Sequence, residues 1–205
     1  MRFFRAVVLA ATLCFVPFCS GAQEETFATC RIPDGAEFVY LSEASSLEAP
    51  EGLEKMYELM MDANELSDVY IIRMPNGRAL ASISCTSGVE PGTAQDLREL
   101  WPKVTESIVE NVYYVTKRED CVSVEMAFGY EALVIHTNIA PILWNEDMLL
   151  KADSVAFYNG TDFIEIWALY PVDSVYLYDP QAAAELQSDL EALDAFMDSL
   201  SFPSK

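Results

Sequence analysis

The sequence predicts an α+β fold, an antiparallel β-sheet of about six to eight strands covered by three amphipathic helices as an α/β/α sandwich. Three observations lead there. Asn76-Gly77 and Asn159-Gly160 each separate two β-rich runs, and Asn-Gly turns join antiparallel neighbours. Five short runs of strand character follow one another between Val112 and Tyr170. Three further stretches repeat apolar residues at three- and four-residue spacing, and such stripes need a sheet face on which to be buried.

The chain opens with Arg2 and Arg5 before "AVVLAATLCFVPF", a positive start and an apolar core of secretory-signal length, too short for a comfortable membrane span. Ser20 and Ala22 place two small side chains at signal-peptidase spacing, so cleavage is expected after Ala22. Lipidation is the lesser reading, because Cys19 follows "VPF" and Cys14 follows "ATL", where a lipoprotein site keeps small residues. Residues 1–22 are thus read as a signal peptide and 23–205 as a single α+β domain.

Within that domain "TFATCRIP" and "EFVYL" give one or two strands around Pro33-Asp34-Gly35. In "PEGLEKMYELMMDANEL", Pro50 suits a helix start, and Leu53, Met56, Tyr57 and Met60 form the stripe. "DVYIIRMPNGRALASISC" reads as a hairpin. A second helix is expected from Thr93, its cap, to about Asn111, with a kink or break at Pro102. The five runs are "VYYVTK", "CVSVEMAF", "EALVIHT", "SVAFYN" and "TDFIEIWALY", with Arg118-Glu119-Asp120, Gly129 and Asn159-Gly160 in the turns between them. In the second run Val122, Val124, Met126 and Phe128 share one face, expected to be buried. Asp179 caps a last helix beginning at Pro180, with Leu186, Leu190, Leu193, Met197 and Leu200 on its stripe.

The element order, the "YNGTDFIEIW" hairpin and the closing helix ending in "DSLSF" resemble the PsbP-like fold group of α/β/α sandwiches. The resemblance covers most of the mature chain and rests on element order and two loose segments. It implies a partner-binding or assembly module, since that group is largely non-catalytic; it transfers no functional residue.

Charge narrows the partners. The chain has 12 Lys+Arg and 33 Asp+Glu, and loss of Arg2 and Arg5 leaves 10 against 33, a formal −23. Such a chain repels phosphate backbones and anionic headgroups, which argues against nucleic acid and against electrostatic membrane binding. No transmembrane anchor is expected after cleavage.

Candidate chemistry is sparse. His136 is the only histidine and lies in phase with Ala132 and Val134, where a local hydrogen bond explains it better than catalysis. Cys30, Cys85 and Cys121 permit at most one bridge, with the pair undetermined; with His136 they have a zinc-site composition but no C-x₂-C spacing. Glu125, Glu131, Asp162 and Glu165 lie on or beside the strands, and two of them held together would suit glycoside hydrolysis or a hard cation. They read first as solvated charges, so catalytic and metal sites are assigned to none. Asn159-Gly160-Thr161 matches a glycosylation sequon that a tight turn explains independently. Glycine loops for phosphates or dinucleotides are missing, and no cofactor is implied. Trp144 lies on a loop between strands, and Tyr176 and Tyr178 alternate onto one side just before the last helix; they read first as core anchors, and aromatics so placed can also stack on sugars or grip a partner peptide.

The reading is an exported, non-enzymatic binding or assembly module, at the cell surface or outside the cell, for a protein or cell-surface ligand through those aromatics. The alternatives are a hydrolase using strand carboxylates and a structural envelope protein.

Overall fold

The computed structural model describes residues 16–20, 25–40, 67–90, 92–99, 113–116, 122–141, 150–160, 162–171 and 179–203. Two short strands, β1 (Val16–Ser20) and β2 (Glu25–Cys30), pair antiparallel with each other. Eight more form one antiparallel sheet: β3 (Glu37–Tyr40), β4 (Asp68–Arg73), β5 (Leu80–Ser87), β6 (Tyr113–Thr116), β7 (Val122–Ala127), β8 (Tyr130–Pro141), β9 (Leu150–Tyr158) and β10 (Asp162–Pro171). The spatial order is β3-β4-β5-β10-β9-β8-β6, with β7 also paired to β8. Residues 94–99 are helical (α1), and Pro180–Ser199 is the long terminal helix α2. The α+β class and antiparallel sheet agree with expectation. Two of the three expected helices fall at least partly among the described residues; the helix expected over 50–66 and the kink at Pro102 lie outside them.

Both Asn-Gly turns form. At the β4–β5 turn Gly77 has φ 69°, and the Met74 amide donates to the Ala79 carbonyl at 2.9 Å, closing the hairpin in register. At the β9–β10 turn the Asn159 amide donates to the Asp162 carbonyl at 3.1 Å. Asn159 is buried, which withholds the sequon amide from solvent.

Register sorts the sheet residues onto two faces. On one, Ala132, Phe157, Ile164 and Cys85 form a row across β8, β9, β10 and β5. This face is buried under α2 through Leu193 and Phe196, joined by Phe27, Ala28, Leu200 and Phe202. Reciprocal hydrogen bonds between Thr29 and Ser201, at 2.8 and 2.9 Å, fasten β2 to the end of α2. On the opposite face Leu133 and Ile135 pack against Leu97 of α1 and Val122 and Val124 of β7. Thr93 caps α1 as expected: its Oγ1 accepts from the Asp96 amide at 3.2 Å, while the Asp96 carboxylate accepts from the Thr93 amide at 2.8 Å.

Asp179 caps α2 as expected, accepting from the amides of Gln181 and Ala182 at 2.9 and 3.3 Å. The inner line differs from the expected stripe. The fully buried positions of α2 are Ala182, Asp189, Leu193 and Phe196, while Leu190 and Met197 flank them. Asp189 sets this rotation: its Oδ1 accepts from the Asn76 amide (2.9 Å) and Asn76 Nδ2 (3.0 Å), and its Oδ2 from the Arg78 amide (2.7 Å). Three donors from the β4–β5 turn offset the desolvation of a carboxylate that has no exposed surface.

The largest departure concerns β6 and β7. The turn expected at Arg118-Glu119-Asp120 does not fold them into a hairpin with each other. Both pair antiparallel with β8, β6 against Asn138–Pro141 and β7 against Tyr130–Ile135, so they lie in line along one side of it. β8 has 12 residues, long enough to template both.

Candidate functional site

The four strand carboxylates do not converge. Pairing alternates their faces: Glu125 stands opposite Ala132 and Glu131 opposite Met126 on the neighbouring strand, so these two point to opposite sides of the sheet. Glu165 lies between Ala156 and Ser84, on the face of Leu133, and Asp162 opposite Ser87 on the other face. Glu131 and Glu165 share a face but are separated by the whole of β9. Burial pushes the Glu165 carboxyl above the ordinary carboxylate range, against a hydrogen bond from Trp167 that lowers it. A glycosidase-like acid–base pair is therefore not assembled from these residues.

His136 does what its strand phase suggested. Its Nδ1 lies 2.8 Å from Asp153 Oδ1, directly across the β8–β9 pair. Tyr170 donates to Asp153 Oδ2 at 3.1 Å, and Lys151 Nζ sits 3.7 Å from the same oxygen and 5.6 Å from the Tyr170 ring centre. The Lys151 ammonium is held above its ordinary range first by its hydrogen bond to Tyr170, and burial raises the Tyr170 phenol. This is a closed surface network around one carboxylate. Among the described residues no hydroxyl or thiol is hydrogen-bonded to His136, which leaves a His-Asp pair without a nucleophile.

The cysteines are equally separated from it. Cys30 and Cys85 are buried under α2, whereas the His136 side chain is 60 % exposed, so the zinc composition is not gathered. Burial pushes the Cys30 thiol up to about 12, which keeps it protonated and inert. A bridge between these two is not formed, and Cys121 lies outside the described residues.

What the described surface does offer is an unused edge. β7 pairs with β8 from Val122↔Ile135 to Ala127↔Tyr130 without a register shift. Among the described residues nothing pairs with its outer side. The hairpin tip is Phe128-Gly129, with φ 53° and 87°, the two left-handed residues of a type I′ turn. Phe128 tolerates this conformation because its ring packs on Phe157 and Phe202, at centroid distances of 6.1 and 5.2 Å. Val122 and Val124 are half-buried against Leu133 and Ile135, as the alternation predicted, whereas Phe128, expected on the same face, packs in the turn against the α2-side core. Met126 is not buried with them: it is 71 % exposed, the one large hydrophobic side chain so exposed among the described residues. On the other side of the strand the Ser123 hydroxyl donates to Glu125 at 2.5 Å, orienting an exposed carboxylate.

Sequence reasoning placed Met126 on the right face and missed its exposure, because alternation cannot distinguish an edge strand from an inner one. The aromatics Trp144, Tyr176 and Tyr178 lie outside the described residues.

Comparisons with known proteins give likenesses to solved structures alone. No family model and no curated protein matches the chain. Among solved structures it is similar to a cyanobacterial PsbP from Synechocystis, with 10% identity, 94% of each chain covered and a TM-score of 0.46. It is also similar to the Ran-binding protein Mog1p of Saccharomyces cerevisiae (9% identity, 93% of this chain and 96% of that one, TM-score 0.44). A third is LpqN of Mycobacterium tuberculosis, described as involved in cell envelope biogenesis (12% identity, 93% and 91% covered, TM-score 0.39). At these identities no partner or activity passes to this chain.

Proposed function

We propose that the protein is an exported, non-enzymatic binding module, working at the cell surface or outside the cell, that takes a protein partner by strand addition at β7. The observation that supports this is the outer side of β7, which no described residue pairs, with Met126 standing exposed beside it. An open edge presents a row of backbone donors and acceptors, and folded proteins blunt such edges with lysine, proline or a bulge. Val122–Ala127 contains no lysine, proline or bulge, and its one charged side chain is Glu125. An edge left regular, with an apolar side chain at its end, suits an incoming strand, whose main chain supplies affinity and whose alternate side chains supply choice. Export follows from the expected cleavage after Ala22, which would also take β1 away from β2. Trp144, Tyr176 and Tyr178 are proposed as a second contact on sequence grounds.

The test places a photo-crosslinking residue at Met126 and, separately, at the exposed Gln187 of α2, in the producing cells. A discrete adduct from position 126 and none from 187 is the expected result. Adducts from 187 alone would move the contact to α2 and overturn the reading.

A further inference from the structure

We infer that the strand received by β7 belongs to a peptide segment in which lysine or arginine alternates with apolar residues. This rests on the strand-addition reading and specifies its occupant. A sheet repeats its pleat across every strand, so an added strand must direct alternate side chains to the same two sides as β7. One side of β7 carries Ser123 and the exposed Glu125, held ready by the Ser123 hydroxyl. The other carries Val122 and Val124, half-buried, and Met126, exposed.

The partner's side chains on the first side meet a carboxylate, and those on the second meet the apolar side chains of Val122, Val124 and Met126, with Glu131 of β8 behind Met126. No Lys or Arg occurs from Val122 through Glu131 to compete for Glu125. The whole chain adds a field of the same sign, with a formal charge of −21. That field draws in a cationic segment and speeds its encounter. A second copy of this chain is the wrong occupant on the same grounds, since two β7 edges would bring two Glu125 side chains and two strongly acidic bodies together.

The probe is a blocked hexapeptide alternating lysine with valine, compared with one alternating threonine with valine, and the readout is amide hydrogen exchange of the intact protein. The lysine peptide is expected to slow exchange within 122–127 at lower concentration than the threonine peptide. Glu125→Lys should weaken the lysine peptide roughly two- to tenfold, as one cross-strand charge pair turns from attraction to repulsion, and should favour a glutamate-valine peptide instead. Because that substitution barely alters the total charge, attraction by the global field alone would leave the preference unmoved and overturn the inference. Equal protection by the lysine and threonine peptides overturns the basic occupant while strand addition stands. No protection of 122–127 by any peptide overturns both. Protection of 122–127 that rises with protein concentration and without peptide makes a second copy the occupant, and overturns the inference too.

Discussion

Among single residues, Glu165 has a consequence that pH exposes. Burial raises its carboxyl above the ordinary value of 4.5, so below that value the folded and unfolded chains carry the same proton and no cost arises. As pH rises from 4.5 through the raised folded value, the unfolded chain releases the proton first and stability falls, by at most about 1.4 kcal/mol per pH unit. Glu165→Gln removes that slope. Denaturant titrations of the two proteins should coincide at low pH and separate above it, with the variant the more stable; parallel curves across the range would show that Glu165 is not held neutral. The sequence put Glu165 on a strand, but the burial that raises its carboxyl depends on neighbours from β9 and β5, Ala156 and Ser84 among them. His136 was legible further, because its phase on the strand already placed it off the Leu133 and Ile135 face.

Between elements, the junction of α2 with the β4–β5 turn rests on Asp189. Asp189→Ala leaves the amides of Asn76 and Arg78 without their acceptor and is expected to cost about 3 kcal/mol, read as a lowered denaturation midpoint with an unchanged slope. Arg78 keeps its pairing with Glu185 at 2.9 Å, yet that pair is partly exposed and contributes little on its own. A loss well under 1 kcal/mol would mean that water replaces the carboxylate at no cost. The capping residues Thr93 and Asp179 were readable because a cap acts within three residues of itself. Asp189 was not, since its partners lie more than 100 residues away and its side chain interrupts an otherwise apolar stripe. The in-line arrangement of β6 and β7 was equally hidden: a turn sequence says where a strand stops, and only β8 decides that both strands share one of its sides.

For the whole molecule, the expected export makes a mass prediction. Protein taken from the producing cells should begin at Gln23 by intact mass spectrometry, and a mass starting at a lipidated Cys19 would instead tether the module to a membrane. No described helix is long and apolar enough to cross a membrane. The sequence by itself determined the acidic character, the antiparallel turns, the helix caps and the alternation of faces along each strand. These are legible because they depend on residue type and on neighbours a few positions away. Tertiary structure alone decided strand order, and with it which strand became an edge. An edge and an interior strand carry the same two-residue period, so the open side of β7 and the exposure of Met126 exist only once β8 has been paired and nothing follows beyond it among the described residues.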